Sequence, residues 1–116
     1  MRSKNFMKIM QVFVILGVVL TLANSFSING QTKTHVVEMI GMKFVPDKIT
    51  VKKGDSIKFI NKSNILHNVV IQDLEINSKF LNTNQSVTIE IDKKGKFDYY
   101  CLPHRSMNMK GIIISE

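Results

Sequence analysis

The sequence predicts an all-β domain, a two-sheet β-sandwich of about seven to eight short strands. Three observations carry this expectation. Apolar and polar residues alternate at period two in several short runs, Gly-containing turns separate those runs, and no stretch of useful length repeats at the helical period. Neither an internal repeat nor a low-complexity tract interrupts the pattern.

The first quarter of the chain stands apart. Arg2, Lys4 and Lys8 precede a run from Val12 to Ala23 that is apolar except for Gly17 and Thr21, and Asn24, Ser25 and Ser27 follow. A basic start, a short apolar stretch and small residues after it define a signal peptide over residues 1–25, with Ala23-Asn24-Ser25 as the cleavage signal. The expectation is therefore an exported protein, periplasmic or extracellular. The apolar run is short for a span of about 20 residues, so an uncleaved membrane anchor is the weaker alternative, and a membrane enters only if the leader is retained. No cysteine lies just after the run, which excludes a lipoprotein anchor. Residues 26–33 are polar and read as a flexible lead-in. Residues 34–116 remain for the domain, enough for one modest core.

Within that domain, strands are expected at Thr34 to Ile40, His67 to Gln72 and Gly111 to Ser115. Ile49 and Val51 alternate with Thr50 and Lys52, and beyond Lys53-Gly54-Asp55 the residues Ile57 and Phe59 alternate with Ser56 and Lys58. This is a hairpin or a corner between strands. A second such unit places Val87, Ile89 and Ile91 on one face, turns at Lys93-Lys94-Gly95, and continues with Phe97, Tyr99 and Cys101 on one face. Period two therefore directs the Cys101 sulfur toward the core. Asp73 to Gln85 alternates poorly and reads as loop with a short helical turn at Ile76 to Leu81.

A lone cysteine in an exported chain has no internal disulfide partner, so it is either inert or kept for its chemistry. Its neighbours favour chemistry. Cys101, His104 and Met109 have the spacing C-x2-H-x4-M in one short loop, and Met107 lies there too. A thiolate, an imidazole and a thioether brought to one point, with a second imidazole from elsewhere, suit a copper ion that passes one electron. His67, which follows the polar stretch Asn61-Lys62-Ser63-Asn64 and opens a strand-like run, is the candidate for the second imidazole. His35 reads as an ordinary surface histidine, and Met39 and Met42 as packing residues. Of Tyr99 and Tyr100, one is expected in the core and the other at the surface. The metal alternative is zinc, which a His2Cys set also binds but which leaves the methionine without a purpose.

An ordered set of segments resembles the small blue copper proteins, the cupredoxin family, and most closely its plastocyanin and pseudoazurin branch. The segments are Phe44-Val45-Pro46, Ile49 through Asp55, Phe59-Ile60-Asn61, His67-Asn68-Val69, Gly95 through His104, and Met109-Lys110-Gly111-Ile112. The resemblance implies a Greek-key sandwich with one copper ion per chain cycling between Cu(I) and Cu(II). It also implies the ligands His67, Cys101, His104 and Met109. Spacing alone leaves Met107 and Met109 both open; the family's Met-x-Gly pattern assigns Met109 and leaves Met107 a surface residue. Asn108 then stands where relatives often carry glycine, a position asparagine tolerates in the left-handed region. By the same resemblance, Asn68 gives its backbone N–H to the cysteine sulfur and tethers the ligand loop through its side chain. Leu102 replaces the serine or threonine of many relatives, so that tether is expected to be weaker or made by backbone groups only.

The function implied is a one-electron carrier between protein redox partners, not an enzyme. A copper oxidase or nitrite reductase needs further histidine-rich centres, and only His35 is spare. A copper carrier that delivers the ion rather than electrons is the alternative. Partners are expected to dock on an apolar patch near His104 drawn from Ile65, Leu66, Leu102, Pro103 and Met107. The chain carries net charge +7 and stays basic without the leader, so those partners are expected to have acidic surfaces, and a monomer is the default. The lysines are scattered and form no dense basic stripe, which argues against nucleic acid.

Overall fold

The alternating runs form strands that divide between two mixed sheets. A computed structural model describes residues 30–116. The leader expected over 1–25 and the first residues of the lead-in lie outside the described residues. Strands β1 (Thr34–Ile40), β2 (Lys43–Val45), β4 (Ser56–Asn61) and β7 (Ser86–Glu90) make one sheet in the order β2-β1-β4-β7. The other has the order β3-β9-β8-β5-β6, built from β3 (Lys48–Val51), β5 (Val70–Ile71), β6 (Ile76–Asn77), β8 (Gly95–Tyr100) and β9 (Lys110–Ser115). β1 runs parallel to β4 and β3 parallel to β9, while the remaining pairs are antiparallel.

Among the described residues nine strands form instead of the expected seven to eight, because β2, β5 and β6 have only two or three residues each and are too short to show a period. Two further expectations need correction. The helical turn falls at Gln72–Leu74, before the expected position, and Ile76–Asn77 pairs as a strand. The strand expected from His67 to Gln72 is regular only at Val70–Ile71, and His67 joins Leu81 through an isolated antiparallel bridge.

The two turn-linked units are corners, since β3 and β4 belong to different sheets, as do β7 and β8. Gly54 takes φ +94° in the first corner, a region closed to most side chains. Asp55 secures the same corner: its carboxylate accepts the backbone N–H groups of Lys33 (2.9 Å) and Lys52 (3.0 Å) and the ring N–H of His35 (2.9 Å). These bonds, the His35 contact foremost, hold the Asp55 carboxyl down at about 2. His35 is thus not the free surface histidine expected from sequence; it is largely buried and pins β1 to the corner.

Inward faces of both sheets meet in one core, where Val37, Met39, Ile57, Phe59, Ile71, Ile91, Tyr99 and Ile113 are fully enclosed. Phe44, Phe59 and Tyr99 pack edge to face at centroid distances of 4.7 to 6.2 Å. Tyr99 explains Gly111, because a Cβ at 111 would run into the Tyr99 phenol and the Asp47 carbonyl. Period two along β8 delivers Phe97, Tyr99 and then Cys101 to this core, as the alternation predicts.

Candidate metal centre

Three donor-bearing side chains converge at the end of the sandwich where β4 and β8 finish. The Cys101 sulfur lies 3.6 Å from Nδ1 of His67 and 3.4 Å from Nδ1 of His104, and the two ring nitrogens are 3.1 Å apart. These residues form the one group of potential metal donors among the described residues. Cys101 and His67 are fully buried and His104 is partly exposed. The two rings meet edge to face, 4.8 Å between centroids.

Cys101 and His104 are held together by a short loop. β8 ends at Tyr100, a 3₁₀ turn spans Leu102–Met107 with Pro103 in its first turn, and Asn108 reverses the chain at φ 64°. That is the left-handed conformation expected of Asn108. Its N–H bonds the Arg105 carbonyl at 3.1 Å. The chain then returns as Met109, whose N–H reaches the His104 carbonyl (3.3 Å) and whose carbonyl accepts the Cys101 N–H (3.1 Å). Met109 is fully buried and Met107 is 59% exposed, so the two methionines occupy opposite environments. Outside the turn, the Arg105 guanidinium sits 4.3 Å above the Tyr100 ring. Tyr99 is enclosed and Tyr100 only partly so, the division expected from sequence.

His67 arrives from the opposite direction. Its N–H and carbonyl pair with the Leu81 backbone at 3.3 and 2.7 Å, and Asn68 links it to the loop. The Asn68 Oδ1 accepts the Leu102 N–H at 2.8 Å, and its Nδ2 reaches Asn77 at 3.3 Å. The tether lost with a hydroxyl at 102 is thus retained by the Leu102 backbone.

Electrostatics fit a soft cation. Burial pushes the Cys101 thiol up, opposed by the nearby backbone amides of Asn68 and His104. Burial likewise pushes the His67 imidazole down, the nearby His104 adds to this, and the Gly41 backbone opposes it. Nε2 of His67 itself is buried without a hydrogen-bond partner. A neutral imidazole is the ligand form, whereas the protonated thiol must give up its proton to a bound metal. Two imidazoles and one thiol, already within 3.6 Å of one another, suit copper by donor type.

Comparison with known proteins gives a consistent result. Residues 31–116 match the family described as copper binding proteins, plastocyanin/azurin family. The chain is 33% identical to plastocyanin of Vicia faba over 84 residues, covering 61% of this chain and 85% of that one. It is 28% identical to amicyanin of Paracoccus denitrificans over 83 residues, covering 67% and 63%. It spans 58% of the length of the chloroplastic plastocyanin of Chlamydomonas reinhardtii, to which it is 30% identical. Among solved structures, a reduced tryptophan-to-tyrosine mutant of amicyanin superposes with TM-score 0.66 at 28% identity, covering 76% of this chain and 87% of that one. A mutant fern plastocyanin gives TM-score 0.65 at 27% identity, covering 70% and 99%.

Proposed function

Because this chain belongs to the plastocyanin/azurin family of copper-binding proteins, we propose that it is an exported one-electron carrier holding one copper ion between His67, Cys101, His104 and Met109. The observation that carries this reading is the convergence of the His67, Cys101 and His104 donor atoms at one buried point. Copper there supplies a couple between Cu(I) and Cu(II). The chain's residues do the rest: thiolate and thioether favour Cu(I), the imidazoles also serve Cu(II), and a fixed arrangement limits movement between the states. Backbone amides of Asn68 and His104 beside the sulfur favour its thiolate and so tune the couple. The enclosed core behind Cys101 keeps water away.

Electrons pass through the partly exposed side of the centre, at His104. Leu66, Leu102 and Met107, each about half exposed, lie with Pro103 and the half-buried Ile65 on the two segments that carry His67 and His104. This apolar rim is the docking surface for a protein redox partner. The excess of Lys and Arg selects a partner with an acidic face, and a small contact suits brief encounters of a monomer.

The test is titration of Cu(II) into the reduced apoprotein. One equivalent should develop an intense blue thiolate-to-copper band that bleaches with reductant and returns with oxidant while the metal is retained. Cys101→Ser should abolish the band. Absence of the band in the native chain would sink the reading, and loss of copper to an acceptor during cycling would turn it into a delivery role.

A further inference from the structure

One motif that the proposed ligands leave unused is Asn61, at the end of β4. Its side chain is fully enclosed, yet every hydrogen-bonding site on it is satisfied. The amide nitrogen donates to the carbonyls of Ile65 (2.7 Å) and Leu81 (2.8 Å). The amide oxygen accepts from the backbone N–H (2.9 Å) and the hydroxyl (2.7 Å) of Ser63. Two donors and two acceptor sites exhaust what an asparagine side chain offers. The backbone of Asn61 bonds Gln85 and Asn84 as well, at 2.9 and 2.6 Å.

These partners lie on two segments that meet at His67. Ser63 and Ile65 belong to the irregular stretch between β4 and His67, which no strand holds in place. Leu81 belongs to the segment that bridges His67, and its carbonyl, the acceptor of the Asn61 amide, is also the acceptor of the His67 N–H. A single buried amide therefore fixes both the approach to His67 and the backbone that His67 pairs with. Without it, a short polar stretch would be free to adopt many conformations.

We propose that Asn61 is the positioning residue for His67: its amide locks the segments on either side so that the imidazole is aimed at Cys101 and His104 before any metal binds. This rests on the copper reading given above. Because the ligand ring is set by a rigid outer bond network, disturbing that network changes how firmly metal is held by about tenfold or more.

The experiment compares Asn61→Ala and Ser63→Ala with Ile57→Val, a core truncation at the far end of the same strand. Thermal midpoints of the apoproteins, the imidazole NMR signals of His67 in the apoprotein, and copper release to a chelator at 25 °C are measured. Asn61→Ala should broaden or shift the His67 ring signals and speed copper release about tenfold. Ser63→Ala, which removes one bond to the amide oxygen, should move both in the same direction by about threefold in release. Ile57→Val should lower the midpoint with release unchanged within about twofold. Native-like ring signals and release in a folded Asn61→Ala protein would overturn the proposal. If that variant fails to fold, Ser63→Ala decides, and native release with native ring signals there overturns it equally. Should the native chain give no blue band, the copper reading fails separately, while the apoprotein ring signals still judge Asn61.

Discussion

The two imidazoles of the metal centre are delivered by opposite kinds of structure. His67 is enclosed, paired with Leu81 and backed by the Asn61 amide, so its position is set by buried hydrogen bonds. His104 rides on a 3₁₀ turn whose other members, Leu102, Pro103, Arg105, Ser106 and Met107, are all exposed. The contrast assigns different work to each side. A buried bond network costs much to distort, because each freed polar group is left without water, whereas an exposed turn gives way cheaply. One imidazole is therefore fixed and the other stands at the surface. Cys101 and Met109 join the two halves: both are fully buried but stand at either end of the exposed turn.

Perturbations should separate the two sides in proportion to burial. The largest effect is expected at Met109. Met109→Ala should cost about 2–5 kcal/mol of stability as a core truncation and alter the copper absorption, whereas Met107→Ala should stay within about 0.5 kcal/mol with the spectrum kept. Chemical denaturation and optical titration check both, and a spectrum that responds to Met107 but not to Met109 would reverse the assignment of Met109 as the ligand. An intermediate effect is expected where the two sides are tied. Asn68→Ala removes the acceptor of the Leu102 N–H and should cost about 1–2 kcal/mol, with faster hydrogen exchange at Leu102 and unchanged exchange at Ile57. Uniform loosening of the whole domain would break the distinction drawn between the sides.

The smallest effect on the centre is expected from the opposite end of the sandwich. Asp55 is held at about 2, below the ordinary value near ~3.9. Its contribution to stability is therefore fully present above about pH 4 and is lost as pH falls toward 2, when the carboxylate takes up its proton. Asp55→Asn should flatten that part of the acid unfolding curve and leave the copper spectrum at neutral pH unchanged. Acid titration of the apoprotein followed by circular dichroism measures the first, and a spectral change at neutral pH would show that the two ends are coupled.

Much of this arrangement can be read along the chain. The strand expected at Thr34 to Ile40 matches β1 to the residue, and the pattern Phe97, Tyr99, Cys101 points the thiol inward because side chains on a strand alternate by geometry alone. Asn108 likewise announces its left-handed turn, since few other residues tolerate it. Other features leave no local trace. The two-residue strands β5 and β6 exist only because a neighbour supplies their hydrogen bonds. His35 looked like any exposed histidine because its partner, Asp55, lies 20 positions away. Asn61 stood in a recognisable segment, but the Leu81 carbonyl that gives it meaning is equally remote.

Local chemistry, written residue by residue, thus determined the donor types, the inward face of β8 and the turn that joins Cys101 to Met109. Which sheet each strand enters, how His67 reaches a sulfur 34 positions away, and which buried amide holds it there were decided only on folding. The reason is physical: periodicity and backbone preference act within a few residues, whereas hydrogen bonds and packing between distant segments exist only once the chain has closed on itself.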